Sequence, residues 1–408
     1  MNRKKVGFVF HHIGPYHHAR LNAAASDFIV AGIEWSAHDN FGWGNCASPA
    51  RYQKIGLFES APFGQQRYEI LASRLRRQLE DTPCDILFIN GWGDFGSAIT
   101  VRICIENRIP CVLMSESTEW DGRRTFVKEW VKRRVVKCFS AALVGGNPHS
   151  EYLQQLGFPR ERIRLGYDAV DNQYFAENAE RIREDAESVR KLHEFPMNFF
   201  LSSARYIEKK NLVRLLKAYA AYRGKCQAAQ DVRNPSETWH LVLLGDGELR
   251  QSLEPLRAEL GLENFVHMPG FKQYTELPAY YGTAKAFVHA STTEQWGLVV
   301  NEAMASSLPV LVSNRCGCAR NLVADGVNGF SFNPEKIDDI ADCMLKIASL
   351  SEDTRLRFGS ASAGKIADWG PKRFARGVKE CIEIALEIGP PKCSFVTRFL
   401  IRALCRMK

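Results

Sequence analysis

The amino-acid sequence predicts an α/β protein of two doubly wound, Rossmann-like domains. Its 408 residues are too many for one ordinary hydrophobic core and fit two domains of typical size. Short apolar runs bounded by Gly, Pro or Ser alternate with segments of helical spacing in both halves of the chain. This alternation is typical of parallel sheets that are covered by helices on both faces.

Eight apolar runs are the predicted buried strands, and four fall in each half of the chain. They are 6–10, 85–90, 111–115, 141–146, 198–204, 240–247, 286–291 and 309–313. Between two of these runs, Leu212, Leu215, Leu216 and Tyr219 fall at i, i+3, i+4 and i+7. That spacing predicts a helix with one buried face.

A charged segment, 176–197, has few strongly apolar residues and ends at Pro196. It predicts a linker between a first domain, 1–175, and a second domain, 198–370. An ordinary solvated helix inside one domain is the alternative interpretation. The remaining residues, 371–408, are expected to form a C-terminal helix and a basic tail.

The composition limits the classes of partner. The formal net charge is +8, and a basic surplus attracts nucleotide sugars, anionic lipids or nucleic acid. No RNA- or DNA-binding motif accompanies it, so no nucleic-acid partner is expected. The chain begins without a secretory apolar region and has no run of membrane-spanning length, which predicts a cytoplasmic location.

The cysteines predict free thiols. Twelve are scattered from Cys46 to Cys405, and only Cys316 and Cys318 lie close together. No second pair follows at zinc-site spacing, so plain loop thiols are favoured over a metal site. No metal and no cofactor are expected.

Two cations follow the strand predicted at 198–204. Arg205 comes directly after it, and Lys210 stands just before the helix that begins near Asn211. Cations at the carboxyl end of a parallel strand, beside a helix start, can form an anion site suited to a diphosphate. Surface charge is the simpler interpretation of this segment alone.

The next two loops carry glycines and carboxylates. Gly245 begins the Gly-Asp-Gly turn that ends the run 240–247, where close approach to a ligand and plain turn chemistry explain it equally well. After the strand 286–291 come Glu294, Gly297 and, in the next helix, Glu302. Carboxylates in these places can accept hydrogen bonds from sugar hydroxyls, or can be exposed glutamates without a role.

Glu294 and Glu302, separated by seven residues, resemble the E-x7-E signature of retaining GT-B glycosyltransferases of family 4. Arg205 and Lys210 stand at the Arg-x4-Lys spacing of that family. Three further segments look like its C-terminal domain in the correct order: GDGELRQSLE, MPGFKQYTELPAYYGTAKAFVHAS and ADGVNGFSF. The resemblance is strong over 199–335 and weaker over 166–175.

The resemblance implies two domains that face each other across a cleft, with the donor in the second. Arg205 and Lys210 would neutralise the donor diphosphate, assisted by the amides near Gly297 and Leu298. Glu302 would hold the nucleotide ribose and Glu294 the donor sugar. The family retains anomeric configuration and needs no bound metal, and its C-terminal helix, here near 371–388, crosses back to the first domain.

The first half is expected to bind the acceptor. Gly14, after the first strand, can turn the chain toward the donor phosphates, as in similar enzymes. Four histidines, His11, His12, His17 and His18, crowd this loop. Contact with substrate or solvent is favoured over metal binding, because adjacent side chains on a strand point to opposite faces. His12 is the candidate acceptor-binding residue among them.

The sequence departs from the family at two places. Glu116 occupies the position where family members commonly carry a histidine, so orientation of the donor sugar is expected to differ. Glu116 can contact acceptor hydroxyls or a cationic amino sugar, or lie in a solvated loop. Arg320 and Asn321 stand where similar enzymes often carry a glutamate.

These features predict a retaining hexosyltransferase that uses a UDP- or GDP-sugar and a glycan, glycolipid or small-molecule acceptor, as in cell-surface polysaccharide biosynthesis. A sugar-nucleotide epimerase or hydrolase, and a non-catalytic nucleotide-sugar-binding protein, are the alternatives. Segments 122–139 and 394–408 are both basic and apolar. Segment 394–408 predicts peripheral contact at the inner membrane face, and helices packed on the protein are the alternative for both.

Overall fold

The chain forms two compact units, one of residues 1–170 with 370–408 and one of residues 171–369. The computed structural model describes residues 3–36, 48–58, 68–122, 124–228 and 238–406. The second unit therefore begins at Asp171, and it includes the segment 176–197 that was predicted as a linker. This segment forms parts of two helices that pack against another helix of the second unit.

The first unit contains a seven-stranded parallel sheet. Its strands are β1 Lys5–Phe10, β2 Ile29–Glu34, β3 Gln53–Gly56, β4 Ile86–Asn90, β5 Cys111–Ser115, β6 Ala141–Val144 and β7 Ile163–Leu165. The strand order is β3-β2-β1-β4-β5-β6-β7. The chain changes direction across the sheet between β1 and β4, which is the topological switch point of a doubly wound fold.

Helices cover both faces of this sheet. They are α1 Pro15–Ala24, α2 Tyr68–Asp81, α3 Phe95–Asn107, α4 Phe126–Val135 and α5 Asn147–Gln155, with two later helices, α15 Pro371–Ile388 and α16 Phe395–Leu404. Alternate residues of β4 enter different cores: Ile86 and Phe88 lie in one, Leu87 and Ile89 in the other. This alternation is what a strand buried on both faces requires.

The second unit contains a six-stranded parallel sheet in the order β10-β9-β8-β11-β12-β13. Its strands are β8 Phe199–Ser203, β9 His240–Leu244, β10 Val266–Gly270, β11 Ala286–His289, β12 Val310–Ser313 and β13 Gly329–Phe332. Its helices are α6 Asn172–Glu184, α7 Ala186–His193, α8 Leu212–Ala228, α9 Arg250–Glu259, α10 Leu277–Thr283, α11 Leu298–Ala305, α12 Ala319–Leu322, α13 Ile337–Ala348 and α14 Glu352–Ala367.

All eight predicted strands are present, and the predicted face of α8, from Leu212 to Tyr219, is buried. Five strands were not predicted, because most are short or interrupted by polar residues, Gly or Pro. In β2 the interruption is Gly32, where a Cβ would lie 2.9 Å from side chains of Ile13, Leu21 and Tyr52. A side chain there would collide with α1 and its neighbours, so packing requires the residue that weakens the strand pattern.

The C-terminal helix α15 packs on α1, β6 and β7 of the first unit. Its residues Phe374 and Val378 join the core that contains Phe8 and Phe88. No helix among the described residues is long and apolar enough to span a membrane.

Candidate functional site

Two of the charged residues predicted in the second half, Lys210 and Glu294, come together at the switch point of the second sheet. Strands β8 and β11 are neighbours there, and the chain leaves β8 toward one side of the sheet and β11 toward the other. The loops after these strands carry Lys209, Lys210 and Glu294. The carboxyl edge of a switch point is where open α/β sheets bind ligands.

Asn211 holds the loop after β8 against the end of β11. It has a left-handed backbone conformation, with φ of 61°, and its buried amide donates to the carbonyl oxygens of Ala290 at 3.0 Å and Pro334 at 2.9 Å. The amide of Thr292 donates to the Lys209 carbonyl oxygen at 2.9 Å. These bonds fix both lysines beside the loop that carries Glu294.

Glu294 is the centre of the charged cluster. Lys210 Nζ contacts its Oε2 atom, and Lys209 Nζ lies 3.4 Å from its Oε1 atom. The backbone of Glu294 is held by the loop after β12, through hydrogen bonds with Arg315 and Gly317. Only 8% of Glu294 is exposed. The interpretation of Glu294 as an exposed loop residue is therefore wrong.

Two polar side chains from β11 and its loop complete the surroundings of Glu294. His289 Nε2 lies 3.5 Å from Glu294 Oε2, and Ser291 Oγ donates to the same oxygen at 3.3 Å. Burial alone would raise the pKa of Glu294, but the bond with His289 and the charges of Lys210 and Lys209 hold that pKa well below its usual range. Glu294 is thus a fixed carboxylate at neutral pH.

Gly297 allows the sharp turn from Glu294 into α11. Its φ of 103° lies where side chains are strained, and a Cβ would also meet His289, Glu294 and Cys318, each at 3.6 Å. The first backbone N–H groups of α11, beginning at Leu298, have no partner within the helix and carry the positive end of its dipole. They can stabilise a phosphate next to Lys210.

Glu302 is fully buried inside α11, so the interpretation of an exposed helix glutamate is wrong. The hydroxyl of Tyr281, on α10, donates to Glu302 Oε2 at 2.6 Å. One carboxylate oxygen therefore has a fixed partner on the protein. Recognition of a ribose by Glu302 remains a prediction.

Arg205 is exposed in the loop after β8, and a contact with a diphosphate remains a prediction for it. Gly245 is required by chain packing. Its φ is 116°, and a Cβ there would lie 1.8 Å from the Ala204 carbonyl oxygen. The loops after β8 and β9 thus touch backbone to backbone at Gly245, and a ligand contact of Gly245 stays a prediction.

We expect Gly245→Ala to lower the thermal stability of the second unit strongly. The substitution combines a left-handed strain with a backbone collision, and the expected loss is about 3 kcal/mol or more. Gly261→Ala is the matched control, because Gly261 has a φ of 63° and no atom within 4 Å of its Cβ position. That variant should lose about 1 kcal/mol. Equal losses in calorimetric unfolding would contradict the proposed collision.

In the first unit, Gly14 caps the N-terminus of α1. Its amide donates to His17 Nδ1 at 3.3 Å, and burial lowers the pKa of His17 to about 3, so this imidazole stays neutral. His12 Nδ1 lies 3.2 Å from the Ser36 carbonyl oxygen and 3.3 Å from Glu34 Oε2. The predicted roles of Gly14 and His12 toward ligands remain predictions.

The histidines of this loop have different partners. His11 meets the edge of the Trp35 ring, and His18 contacts the Tyr52 hydroxyl at 3.2 Å. Among the residues that the structure describes, no group of three or more His, Cys, Asp or Glu side chains could hold a metal ion. Burial raises the pKa of the Cys316 thiol, which makes it an unreactive loop residue.

Glu116 lies after β5 and belongs to a partly buried polar cluster. Its charge acts on the carboxyl of Asp168, which is fully buried after β7. The Arg20 guanidinium lies 3.7 Å from Asp168 and stacks over the Tyr167 ring at 4.6 Å. Burial, followed by the Glu116 charge, raises the pKa of Asp168 well above its usual range. Glu116 itself is half-buried, and its contact with an acceptor remains a prediction.

Sequence reasoning missed four residues that contact the candidate site: Lys209, Tyr281, His289 and Ser291. Of these four, only Lys209 carried a signal in the sequence, because it is adjacent to Lys210, a predicted phosphate-binding cation. His289 and Ser291 lie in the run 286–291, which was predicted as a buried strand because its other residues are apolar, so neither was considered as a site residue. Tyr281 is distant in sequence and reaches Glu302 only through tertiary packing.

The chain is similar in sequence to known glycosyltransferases. Residues 184–364, all in the second unit, match the family model "Glycosyl transferases group 1". The sulfoquinovosyl transferase SQD2 of Arabidopsis thaliana is 36% identical over 123 residues, 29% of this chain and 22% of that protein. The alpha-D-kanosaminyltransferase of Streptomyces kanamyceticus is 26% identical over 237 residues, 57% of this chain and 56% of that protein.

The alpha-monoglucosyldiacylglycerol synthase of Acholeplasma laidlawii is 36% identical over 149 residues, 36% of this chain and 35% of that protein. The matches to these three relatives thus span between 22% and 56% of their lengths.

Solved structures confirm the predicted GT-B fold class. The sucrose-phosphate synthase of Thermosynechococcus elongatus has a TM-score of 0.71 at 16% identity, over 93% of this chain and 98% of that chain. The Anabaena protein HepE, in complex with UDP and glucose, has a TM-score of 0.67 at 18% identity, over 93% of this chain and 99% of that chain. At these identities the likeness concerns the fold.

Proposed function

We propose that this chain, whose residues 184–364 match the group 1 glycosyl transferases, is a retaining glycosyltransferase that uses a nucleotide-sugar donor. The observation that carries the proposal is the cluster of Lys209, Lys210 and Glu294 beside the glycine-started helix α11. It combines positive charge for a diphosphate with a fixed carboxylate for a sugar, at the edge of the sheet where ligands bind.

The proposed chemistry is stabilisation of a departing nucleoside diphosphate. Negative charge grows on the leaving phosphate as its bond to the sugar breaks. Lys210, Arg205 and the amides of Gly297 and Leu298 would stabilise that charge without reorganising, which is an effective form of electrostatic catalysis. The donor sugar is then passed to an acceptor hydroxyl with retention of its anomeric configuration.

The two glutamates have separate roles in this proposal. Glu294, held by Lys210, His289 and Ser291, would accept hydrogen bonds from hydroxyls of the donor sugar. Glu302, whose place in α11 is held by the Tyr281 hydroxyl, would accept them from the ribose of the nucleotide. A UDP- or GDP-hexose fits this arrangement, and HepE has been solved with UDP-glucose.

We assign the acceptor to the first unit, with His12 and Glu116 as candidate contacts. Both lie after strands at the carboxyl edge of the first sheet and are only partly buried. Glu116 presents a half-buried carboxyl, which can accept hydrogen bonds from sugar hydroxyls. The acceptor that supplies these hydroxyls would be a glycan, a glycolipid or a small molecule. One relative is named an alpha-monoglucosyldiacylglycerol synthase.

The direct test is an incubation of the protein with UDP- and GDP-hexoses, with and without glycolipid acceptors. We expect a glycosylated product that keeps the anomeric configuration of the donor, as read by NMR. Turnover of the donor in the absence of any acceptor would indicate an epimerase or hydrolase instead. Binding of the donor without turnover under all conditions would indicate a non-catalytic binding protein.

We expect transfer to continue in the presence of EDTA. Lys210, Arg205 and the α11 amides would supply the positive potential that a divalent cation provides in other enzymes. The measurement is the rate of product formation before and after treatment with chelator. A complete loss of activity that magnesium or manganese restores would refute this expectation.

We also propose that the protein works in the cytoplasm at the inner membrane face, with residues 394–408 in contact with lipid. Helix α16 docks on the first unit through Ile401, while Phe395 and Phe399 are 85% and 64% exposed. A basic helix with exposed aromatic residues can lie in a membrane interface.

A further inference from the structure

A cationic cavity lies in the first unit, where the end of α4 meets the start of α16. Its volume is about 380 Å³, and its walls include Arg133, Arg134, Lys137 and Lys392. No acidic side chain lines it, and among the residues that the structure describes none of these four cations pairs with a carboxylate. An anion in this cavity would relieve the mutual repulsion of the four charges.

The start of α16 adds further positive potential to the cavity. Ser394 caps this ten-residue helix by accepting from the Thr397 amide at 3.3 Å, and both residues line the cavity. The first N–H groups of a helix and the positive end of its dipole favour a phosphate or carboxylate. The cavity thus combines side-chain cations with a helix N-terminus.

One face of α4 leads from exposed aromatic residues to this cavity. Phe126, Trp130, Arg134 and Lys137 follow at i, i+4, i+8 and i+11, which places them on one side of the helix and the turn after it. Phe126 is 85% exposed. The Arg134 guanidinium lies 4.5 Å above the Trp130 ring, so aromatic and cationic groups are continuous along this face.

The phenylalanines beside the cavity lie largely in solvent. Helix α16 already buries Ile401 in the core, yet Phe395 and Phe399 are exposed. Exposed large apolar residues beside a basic site are typical of a surface that meets a partner. A soluble phosphate compound would neutralise the cations of the cavity, but it would leave these aromatic rings exposed to water.

We propose that this cavity binds the phosphate of an anionic lipid headgroup while Phe126, Trp130, Phe395 and Phe399 enter the membrane interface. Anionic lipid attracts clustered Lys and Arg, and aromatic rings are favoured at the level of the headgroups. The inference rests on the proposed membrane contact of residues 394–408. It does not depend on sugar transfer.

The test is flotation of the full chain with vesicles of phosphatidylcholine alone and with vesicles that also contain phosphatidylglycerol. The cavity variant is Arg133→Ala with Lys137→Ala. The matched control is Arg77→Ala with Arg160→Ala, which removes the same charge from exposed positions of the first unit that do not line the cavity. We expect the cavity variant to bind phosphatidylglycerol vesicles about 30-fold more weakly and the control to change less than about threefold.

A third variant, Phe395→Ser with Phe399→Ser, distinguishes the sources of phosphate. It should lose vesicle binding and keep any binding of inorganic phosphate, measured by calorimetry. Equal losses in the cavity and control variants would overturn the cavity site and leave only general charge attraction. Binding of inorganic phosphate without binding of vesicles would overturn the lipid assignment. Absence of vesicle binding by the wild type would overturn the membrane contact as well, whereas nucleotide-sugar binding by the same samples tests the proposed function separately.

Discussion

Lys210→Ala is expected to lower the rate of glycosyl transfer by about a hundredfold or more, because it removes a preorganised positive charge from the leaving group. Lys210 is also the direct partner of the buried Glu294, so its loss leaves that carboxylate with a weaker set of contacts. Arg205→Ala is expected to have an effect of the same kind, with a smaller change in stability because Arg205 is exposed.

Lys217→Ala is the matched control for the loss of a lysine. Lys217 lies on the exposed side of α8, the helix that follows Lys210, and its removal should leave the rate unchanged. Thermal unfolding of all three variants separates loss of chemistry from loss of fold. A rate for Lys210→Ala and Arg205→Ala equal to that of the wild type, with intact folds, would refute the assignment of the two cations.

The second large expected effect is a difference in ligand affinity between variants of Glu302 and Glu294. Glu302→Gln should weaken binding of free UDP or GDP by about tenfold or more, since it replaces a charged acceptor of ribose hydrogen bonds. Glu294→Gln should spare the free nucleotide and weaken the intact nucleotide sugar by a similar factor. Titration calorimetry of each variant with nucleotide and with nucleotide sugar measures both quantities.

Tyr281→Phe is the control for Glu302. It removes the hydroxyl that donates to Glu302 and keeps the carboxylate, so it reports how much of the effect comes from the internal hydrogen bond. We expect Tyr281→Phe to change nucleotide affinity less than Glu302→Gln does. The opposite order of effects between the two glutamate variants would mean that their roles are exchanged.

The fold followed from the sequence for most strands that are buried on both faces, with β2 as the exception because Gly32 interrupts its apolar pattern. Runs such as 111–115 contain almost only apolar residues, and the structure has a strand with the same bounds. Strand β3, QKIG, is largely exposed at the sheet edge, and β10, VHMPG, contains a proline, so neither shows the apolar pattern of a buried strand. Such edge strands form because the adjacent strand of the sheet provides hydrogen-bond partners. The pattern of apolar residues along the sequence does not show these partners.

The candidate site was predictable where spacing along the chain determines it. Glu294, Gly297 and Glu302 lie within one loop and helix, and their spacing, together with the other segments that resemble the family, indicated a site. The network that holds Glu294 was not predictable, since His289 and Lys209 reach it from different strands. The link between Glu116 and Asp168 likewise joins the ends of β5 and β7, two strands separated by β6 in the sheet.

The proposed function requires that the second unit bind a nucleotide sugar through Lys210 and Glu294. The decisive measurement is titration calorimetry of the wild type, Lys210→Ala, Glu294→Gln and Lys217→Ala with UDP- and GDP-hexoses. We expect at least one donor to bind the wild type and Lys217→Ala equally, and to bind the other two variants at least about tenfold more weakly. Equal affinity for all four proteins, or no binding of any donor by the wild type, would contradict it.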